Sequence, residues 1–305
     1  MKTKWNGILH DRRHSLGVAA GAGLFLLIAG AAQAQNIFLS DYGNGALYEY
    51  TPTGARTTFA LIGTPLNGPE GLAFDSSGNL FVANAFPGNI YKFTPGGVQS
   101  TFATGLYYPG TLAFSPTGDL YGDDSHNNIF KFTASGAMST FIAGLPGPSG
   151  ITSDKSGNMY VACSTGGTVL KITPNGTQTT ILSGLVYPEG LAFNSAGNLF
   201  VVTDGPQGNT GNILELTPNG VVSTFAHGLS NPVGLAFDSA DNLFLSELGS
   251  GTIDKFTPGG SESIFATGLY YNTFIAIQPV PEPSTVWLLA IGAFTLLACH
   301  RRNVT

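Results

Sequence analysis

Oxygen-bearing side chains recur at two fixed places of a repeated phrase in this 305-residue chain. The first place directly precedes Gly-Leu-Ala-Phe or a close variant, where Glu70 and Glu189 supply carboxylates. The second place ends the following apolar stretch and is occupied by Asp41, Asn84, Asp124, Cys163, Thr203 and Glu247. Carboxylate and amide oxygens are ligands that Ca²⁺ and Mg²⁺ prefer. Cation binding is therefore the chemistry that these residues could perform if the fold gathers them.

Nucleophilic and base catalysis have fewer candidates. Cys163 is the one cysteine between the terminal segments, and no histidine is near it in sequence, so it is interpreted as a small buried apolar residue. A lyase would need a histidine base, and only His126 and His227 remain in the central region. Both are predicted to lie in loops, without a surrounding motif.

The residues that could do chemistry belong to an internal repeat. Its anchor residues lie 40, 39, 40 and 44 residues apart, at Leu72, Leu112, Ile151, Leu191 and Leu235. Each unit contains four short β-branched or aromatic segments, here called strands A to D, separated by Gly, Asn, Asp and Pro turns. Four strands in about 40 residues predict one blade of a β-propeller.

The number of strands predicts an all-β, six-bladed propeller of four-stranded blades. Strand B begins six times, at Ile37, Leu80, Leu120, Met159, Leu199 and Leu243. Strand A is complete five times, and residues 274–277 supply a sixth copy near the end of the domain. The first and last strands of residues 36–278 are therefore expected to share one blade and close the ring, which removes exposed sheet edges.

These repeats resemble NHL-repeat propellers, gluconolactonase-like propellers and streptogramin lyase-like propellers. The resemblance implies that residues before strand A and after strand B meet at one mouth of a central channel, with Glu70 and Glu189 facing each other. It also implies a Ca²⁺ or Mg²⁺ site with Glu70, Glu189, Asn272 and Ser149 as ligands. Gly110 and Val233, at the equivalent positions, have no side-chain oxygen to offer, and the acidic residues could equally be solvated or stabilise turns.

The N-terminal residues 1–34 have the three parts of a signal peptide. A basic stretch ends at Arg13, an apolar stretch runs from Leu16 to Ala31, and Ala32 and Ala34 form a small-x-small cleavage site. Ordinary secretion is favoured over a twin-arginine route, because the residues around Arg12 and Arg13 fit that motif poorly.

The C-terminal residues 279–305 form a second targeting signal. Pro281, Glu282 and Pro283 precede the apolar segment 286–299, and Arg301 and Arg302 follow it. This order resembles the PEP-CTERM sorting signal, which implies recognition by an exosortase-type enzyme at the membrane and delivery to the cell envelope or matrix. The segment is predicted to be a hydrophobic helix of about 21 Å, short for a hydrocarbon core of about 30 Å. Cleavage of the tail and its retention as an anchor both remain open.

The charge of the domain excludes one class of partner. Between the terminal segments 6 basic and 16 acidic residues remain, which gives 6 − 16 = −10. Phosphate binding needs clustered Lys and Arg, so nucleic acid is not expected as a partner. The sequence favours an exported, non-catalytic binding or scaffold propeller, with exopolysaccharide or other matrix components as partners. The alternative is a metal-dependent lactonase-like hydrolase or a streptogramin lyase-like enzyme.

Overall fold

The computed structural model describes residues 35–59, 66–205 and 210–280, except for the side chains of Asn272 and Thr273. Within these ranges the chain forms 24 β-strands in six antiparallel sheets of four. No helix in the described ranges is long and apolar enough to cross a membrane. The signal-peptide residues Ala32 and Ala34 lie outside them, as do the apolar segment 286–299 and the sorting-signal residues Pro281, Glu282, Pro283, Arg301 and Arg302.

The strands are numbered along the chain and grouped by blade. Blade 1 begins with β1 (Ile37–Asp41), β2 (Ala46–Tyr50) and β3 (Arg56–Thr58). Blade 2 contains β4 (Asn67–Phe74), β5 (Leu80–Phe86), β6 (Asn89–Phe93) and β7 (Gln99–Ala103). Blade 3 contains β8 (Leu112–Phe114), β9 (Leu120–Asp124), β10 (Asn128–Phe132) and β11 (Met138–Ile142).

The remaining blades repeat the same order. Blade 4 contains β12 (Pro148–Ser153), β13 (Met159–Cys163), β14 (Thr168–Ile172) and β15 (Gln178–Ser183). Blade 5 contains β16 (Pro188–Phe193), β17 (Leu199–Thr203), β18 (Gly211–Leu216) and β19 (Val222–Leu229). Blade 6 contains β20 (Pro232–Phe237), β21 (Leu243–Glu247), β22 (Thr252–Phe256) and β23 (Glu262–Thr267). The chain then returns to blade 1 as β24 (Asn272–Ile277).

The ring closes through β24, as the sequence predicts. This strand pairs antiparallel with β1, and the pairs include Ile37 with Ile277 and Leu39 with Ile275. The innermost strands of neighbouring blades contact one another in the circular order β24, β4, β8, β12, β16, β20 and β24 again. They surround a central cavity of about 460 Å³. The predicted starts of all six B strands are confirmed.

Small residues let the inner strands approach each other closely. A Cβ atom on Gly190 would lie 2.4 Å from the carbonyl oxygen of Val233 in the next blade, and one on Gly150 would lie 2.2 Å from that of Glu189. Atoms cannot approach so closely without displacing the backbone. The repeated glycine at the start of the Gly-Leu-Ala-Phe phrase is therefore a packing requirement of the ring.

Aromatic pairs fill the space between blades. The phenylalanine that ends a strand A packs edge-on against an aromatic residue in strand B of the preceding blade. Ring centroids are 5.1 Å apart for Phe38 and Phe74, and 4.8 Å apart for Phe200 and Phe237. Such edge-to-face pairs contribute about 0.5–1.5 kcal/mol beyond the burial of their surface. The phenylalanines that end strands A thus join four of the six blades to the preceding blade.

Candidate functional site

The mouth of the ring is defined here as the end where strands A begin and strands B end. Strand A carries a register shift near its start, for example between Pro69 and Leu72 and between Pro188 and Leu191. Glu70 and Glu189 lie within these irregularities, immediately before the residues that line the central cavity. A bulge of this kind redirects a side chain and is frequent near functional sites. Both glutamates are half-buried.

In blades 3 and 6 a polar side chain near the end of strand B supports the start of strand A. In blade 6 the Ser246 hydroxyl accepts a 3.0 Å hydrogen bond from the Gly234 amide. In blade 3 a carboxylate takes this place, because Asp123 accepts hydrogen bonds from the amides of Gly110 (3.1 Å) and Thr111. Asp123 is buried. The same structural position therefore brings an additional carboxyl group to the mouth in blade 3.

Four carboxyl groups interact at the mouth and are here called the acidic mouth: Glu70, Asp123, Glu189 and Asp204. Burial raises the pKa of Glu70 to about 7, with a smaller contribution from the charge of Asp123. Burial also raises the pKa of Glu189 to about 8, and the charges of Asp204, Glu70 and Asp123 raise it further. Desolvation raises the pKa of Asp123 to about 7, although its backbone hydrogen bonds oppose this. At neutral pH the site therefore retains protons that ordinary carboxyls would have lost.

Two of the residues that end strand B stabilise the turn that follows them. Asp124 accepts bonds from the amides of His126 (3.0 Å) and Asn128 (3.3 Å), and Asp41 accepts bonds from the backbone amide and the side chain of Asn44, both at 2.9 Å. These side chains stabilise the turn between strands B and C. Asp41 and Asp124 thus take the turn-stabilising role, one of the alternatives that the sequence left open. Side chains alternate along a strand, so Asp123 and Asp124 point to opposite faces.

The proposed cation ligands are brought together only in part. The Ser149 hydroxyl donates to the carbonyl oxygen of Pro188 in the next blade at 2.6 Å, so it already joins two blades. The backbone of Asn272 pairs with Asp41 at the mouth. The side chain of Asn272 is not among those that the structure describes. Within the described ranges, no group of three or more His, Cys, Asp or Glu side chains is arranged to hold a metal ion. The Ca²⁺ or Mg²⁺ site at Glu70, Glu189, Asn272 and Ser149 stays a prediction.

The two histidines and the cysteine are not arranged as a catalytic group. His126 lies in the predicted loop, with its Nδ1 3.5 Å from a carboxylate oxygen of Asp124. His227 lies in the outer strand β19, opposite Asn212, so its prediction as a loop residue is wrong. Cys163 is fully buried, and burial raises its thiol pKa to about 11. Its interpretation as a small buried residue agrees with this environment.

Exposed tyrosines rim the mouth in the loops between strands D and A. Tyr107, Tyr108, Tyr187, Tyr270 and Tyr271 are between 39% and 64% exposed. Four of them form two edge-to-face pairs, with centroids 4.8 Å apart for Tyr107–Tyr108 and 4.7 Å apart for Tyr270–Tyr271. Tyr107 also stacks on His126 at 4.3 Å, with the rings inclined by 18°. The mouth thus combines aromatic faces with carboxyl groups.

The raised pKa values predict how stability depends on pH. The folded state holds protons on Glu70 and Glu189 up to about pH 7 and about pH 8, whereas the reference value is 4.5. Stability from these groups is therefore fully present below the unfolded pKa and is lost as pH rises through the folded values. Each unit of pKa difference corresponds to about 1.4 kcal/mol. We expect the Tm to fall between about pH 5 and about pH 9 in calorimetric scans.

The matched control for this prediction is the double variant Glu70→Gln/Glu189→Gln, which should have a flatter profile. Asp123 and Asp254, whose pKa values burial raises to about 7 and about 6, remain in the variant and leave a smaller slope of the same sign. A double variant whose Tm falls as steeply as that of the parent would contradict the assignment.

The C-terminal residues match a known sorting signal. Residues 279–302 match the family model described as the PEP-CTERM protein-sorting motif. A motif of this kind implies export, a membrane-anchored precursor and recognition by an exosortase-type enzyme. A search of curated proteins found no significant match to the chain.

Solved structures confirm the architecture. A streptogramin B lyase superposes with a TM-score of 0.56 at 20% identity, covering 76% of this chain and 74% of the lyase. A virginiamycin B lyase from Staphylococcus aureus gives 0.58 at 16% identity, covering 82% and 97%. A protein described as a putative gluconolactonase gives 0.58 at 16% identity, covering 68% and 80%. At these identities the similarity establishes the propeller fold. The activity has to be inferred from the residues of the site.

Proposed function

We propose that the chain is an exported propeller of the cell envelope or extracellular matrix that binds matrix polysaccharide at its mouth without altering it chemically. The sorting motif supports delivery to the envelope. The observation that carries the binding role is the backbone conformation of three exposed tyrosines. Signal-peptide cleavage after Ala34 belongs to the same proposal, since export needs an N-terminal signal.

Every blade has one residue with positive φ at or just before the start of strand A. The φ angles run from 39° to 71° at Gly68, Tyr108, Gly147, Tyr187, Asn231 and Tyr271. Glycine and asparagine tolerate this left-handed region, whereas a bulky side chain there costs roughly 1–2 kcal/mol. Strain of this kind is found mainly where a side chain has a function. The tyrosines precede blades 3, 5 and 1. They therefore alternate around the ring with Gly68, Gly147 and Asn231, which tolerate a positive φ.

An alternating set of exposed rings is suited to a sugar polymer. The apolar face of a pyranose can lie on an aromatic ring while its hydroxyls bond to polar neighbours. Here those neighbours are the carboxyl groups of the acidic mouth, several of which can both donate and accept near neutral pH because their pKa values are raised. Six basic residues against sixteen acidic ones make an acidic polymer a poor ligand, so we propose an uncharged or amino-substituted polysaccharide.

Tyrosine fluorescence tests this proposal directly. Trp5 and Trp287 both lie outside residues 35–280, so emission from this region comes from tyrosine, and five of its eleven tyrosines are on the rim. We expect saturable quenching or enhancement on titration with neutral or amino-sugar oligosaccharides, or with the host's own exopolysaccharide. An unaltered emission with all of them, together with no co-sedimentation with the insoluble polymer, would refute the proposal.

One observation favours the alternative, a metal-dependent lactonase-like hydrolase or a lyase. A carboxyl that stays protonated near pH 7, as at Glu70 and Glu189, could act as a general acid. A cation would also relieve the repulsion within the acidic mouth. The described side chains do not provide three converging acidic, His or Cys ligands for such an ion, so no reaction step is derived through one.

A thermal-shift titration separates the two functions. Because the ligand set is incomplete, we expect no saturable rise in Tm with Ca²⁺, Mg²⁺ or Zn²⁺ at micromolar concentration. Repeating the titration on Glu70→Gln/Glu189→Gln gives the control, since any shift at the mouth must depend on these residues. A saturable shift in the parent that is lost in the double variant would favour the metal-dependent enzyme.

A further inference from the structure

Both ends of the described chain leave the propeller on the face opposite the mouth, here called the far face. Strand β24 begins at the mouth with Asn272 and ends at Ile277, while β1 runs in the other direction from Ile37. The ends are tied together there, since the Gln278 amide donates to the Asn36 carbonyl at 2.9 Å. The Gln35 side chain donates to the Gln278 carbonyl at 2.7 Å.

The link from this face to the apolar tail is short. Seven residues, Pro279 to Thr285, separate Gln278 from Val286. Fully extended, the eight Cα steps from Gln278 to Val286 span about 27 Å. Part of this length must cross the polar headgroup layer, which adds about 5–7 Å on each side of the hydrocarbon core. Little of the link is then left to separate the far face from the bilayer.

The link is too short for the opposite orientation. If the mouth faced the bilayer, the link would have to run around the outside of a blade. It would first cross three strand spacings of about 4.8 Å from the innermost to the outermost strand. It would then run the length of a strand, about 17–20 Å, to reach the mouth. That path of about 33 Å exceeds the whole extended link before any headgroup layer is crossed. Turning the mouth toward the membrane is therefore prevented by chain length alone.

Charge does not distinguish the two faces. The six C–D turns on the far face have no charged side chain: 51–54, 94–97, 133–136, 173–176, 217–220 and 257–260. The A–B turns on the same face are acidic, with Asp75, Asp119, Asp154, Asp238 and Asp241. The orientation therefore rests on the exit of the chain and the length of the link.

From the exit of the chain and the length of the link, we infer that the far face of the tail-anchored precursor lies against the lipid surface, with the tyrosine-rimmed mouth pointing away from it. The orientation goes beyond the proposed function, and it does not depend on which ligand the mouth takes. It makes the mouth accessible to extracellular polymers while the tail is still in the membrane.

Two labelled positions in blade 4 test the orientation in the full chain. Ser156 on the far face and Thr165 at the mouth are both exposed and flank the two ends of β13. The variants Ser156→Cys and Thr165→Cys, each with Cys299→Ala, then have one exposed cysteine among the described residues, which is labelled with a fluorophore. The Cys299→Ala protein, with buried Cys163 alone, gives the background labelling. The proteins are then reconstituted in phosphatidylcholine/phosphatidylglycerol vesicles containing a nitroxide-headgroup lipid.

We expect the label at position 156 to be quenched several-fold more than the label at position 165. Equal quenching, or stronger quenching at position 165, would overturn the inference. A long Gly/Ser insertion after Val280 is expected to abolish the difference, because a flexible link of sufficient length permits every orientation. A difference that persists with the insertion would overturn the role of the short link. These quenching results do not depend on polysaccharide binding, so a failure of the proposed binding function would not alter them.

Discussion

Replacing Tyr108, Tyr187 and Tyr271 together by glycine is expected to abolish polysaccharide binding while leaving the propeller folded. Each ring contact is worth about 1 kcal/mol, so the loss of three lowers affinity by about a hundredfold. Glycine adopts the observed positive φ without strain. The released strain, roughly 1–2 kcal/mol per site, offsets the lost packing and the greater flexibility of the unfolded chain. Titration calorimetry and thermal melts measure the two effects separately.

Two companion variants make this result diagnostic. The triple phenylalanine variant keeps the rings and the strain, so it should bind within a few-fold of the parent. The triple alanine variant removes the rings but keeps a Cβ in the left-handed region, so it should lose binding and also be less stable than the glycine variant. Undiminished binding by the glycine variant would contradict the assignment of these tyrosines to the site.

Deleting residues 273–278 is expected to unfold or oligomerise the domain. The deletion removes the inner strand of blade 1, including buried Ile275 and Ala276, and exposes the edge of β1. Burial of one isoleucine side chain contributes about 1.5–3 kcal/mol, and each lost ladder hydrogen bond about 0.5–1.5 kcal/mol. Together these losses approach the 5–15 kcal/mol that typically separates folded from unfolded domains. Circular dichroism melts and light scattering after size-exclusion chromatography measure the outcome.

The matched control ends the chain after Val280, which removes the tail but keeps β24. It should remain a monomer with the Tm of the parent domain. Ile275→Ala provides a graded intermediate, with an expected loss of about 2–5 kcal/mol. A protein that lacks residues 273–278 yet stays monomeric, with an unchanged Tm, would show that closure by β24 is not required.

The fold could be predicted from the sequence because the same pattern of four strands recurs six times. The positions of Leu72, Leu112, Ile151, Leu191 and Leu235 gave the period, and alternating apolar residues gave the strands. Even the closing strand was accessible, since Ile275 lies 40 residues after Leu235. Regular packing between blades forces a regular sequence, and such a sequence can be interpreted without coordinates.

The site was less accessible because its properties depend on neighbours from different blades. The sequence drew attention to Glu70 and Glu189, but their raised pKa values arise from burial and from Asp123 and Asp204 elsewhere in the ring. The positive φ of Tyr108, Tyr187 and Tyr271 also cannot be predicted from the Tyr-Pro or Tyr-Asn pairs in which they occur. A comparison of the six positions before strand A could have revealed it, since Gly68 and Gly147 occupy two of them.

The closing blade also determines how the molecule would carry load. With a polymer held at the mouth and the tail held at the far face, tension enters β24 at Ile277 and runs parallel to the strand. Its antiparallel ladder with β1, from Ile37–Ile277 to Asp41–Asn272, is then stressed in shear, so that all the hydrogen bonds must yield together instead of opening one after another. In the proposed arrangement, the pairing of the two chain ends therefore carries load in shear between the tail and the bound polymer.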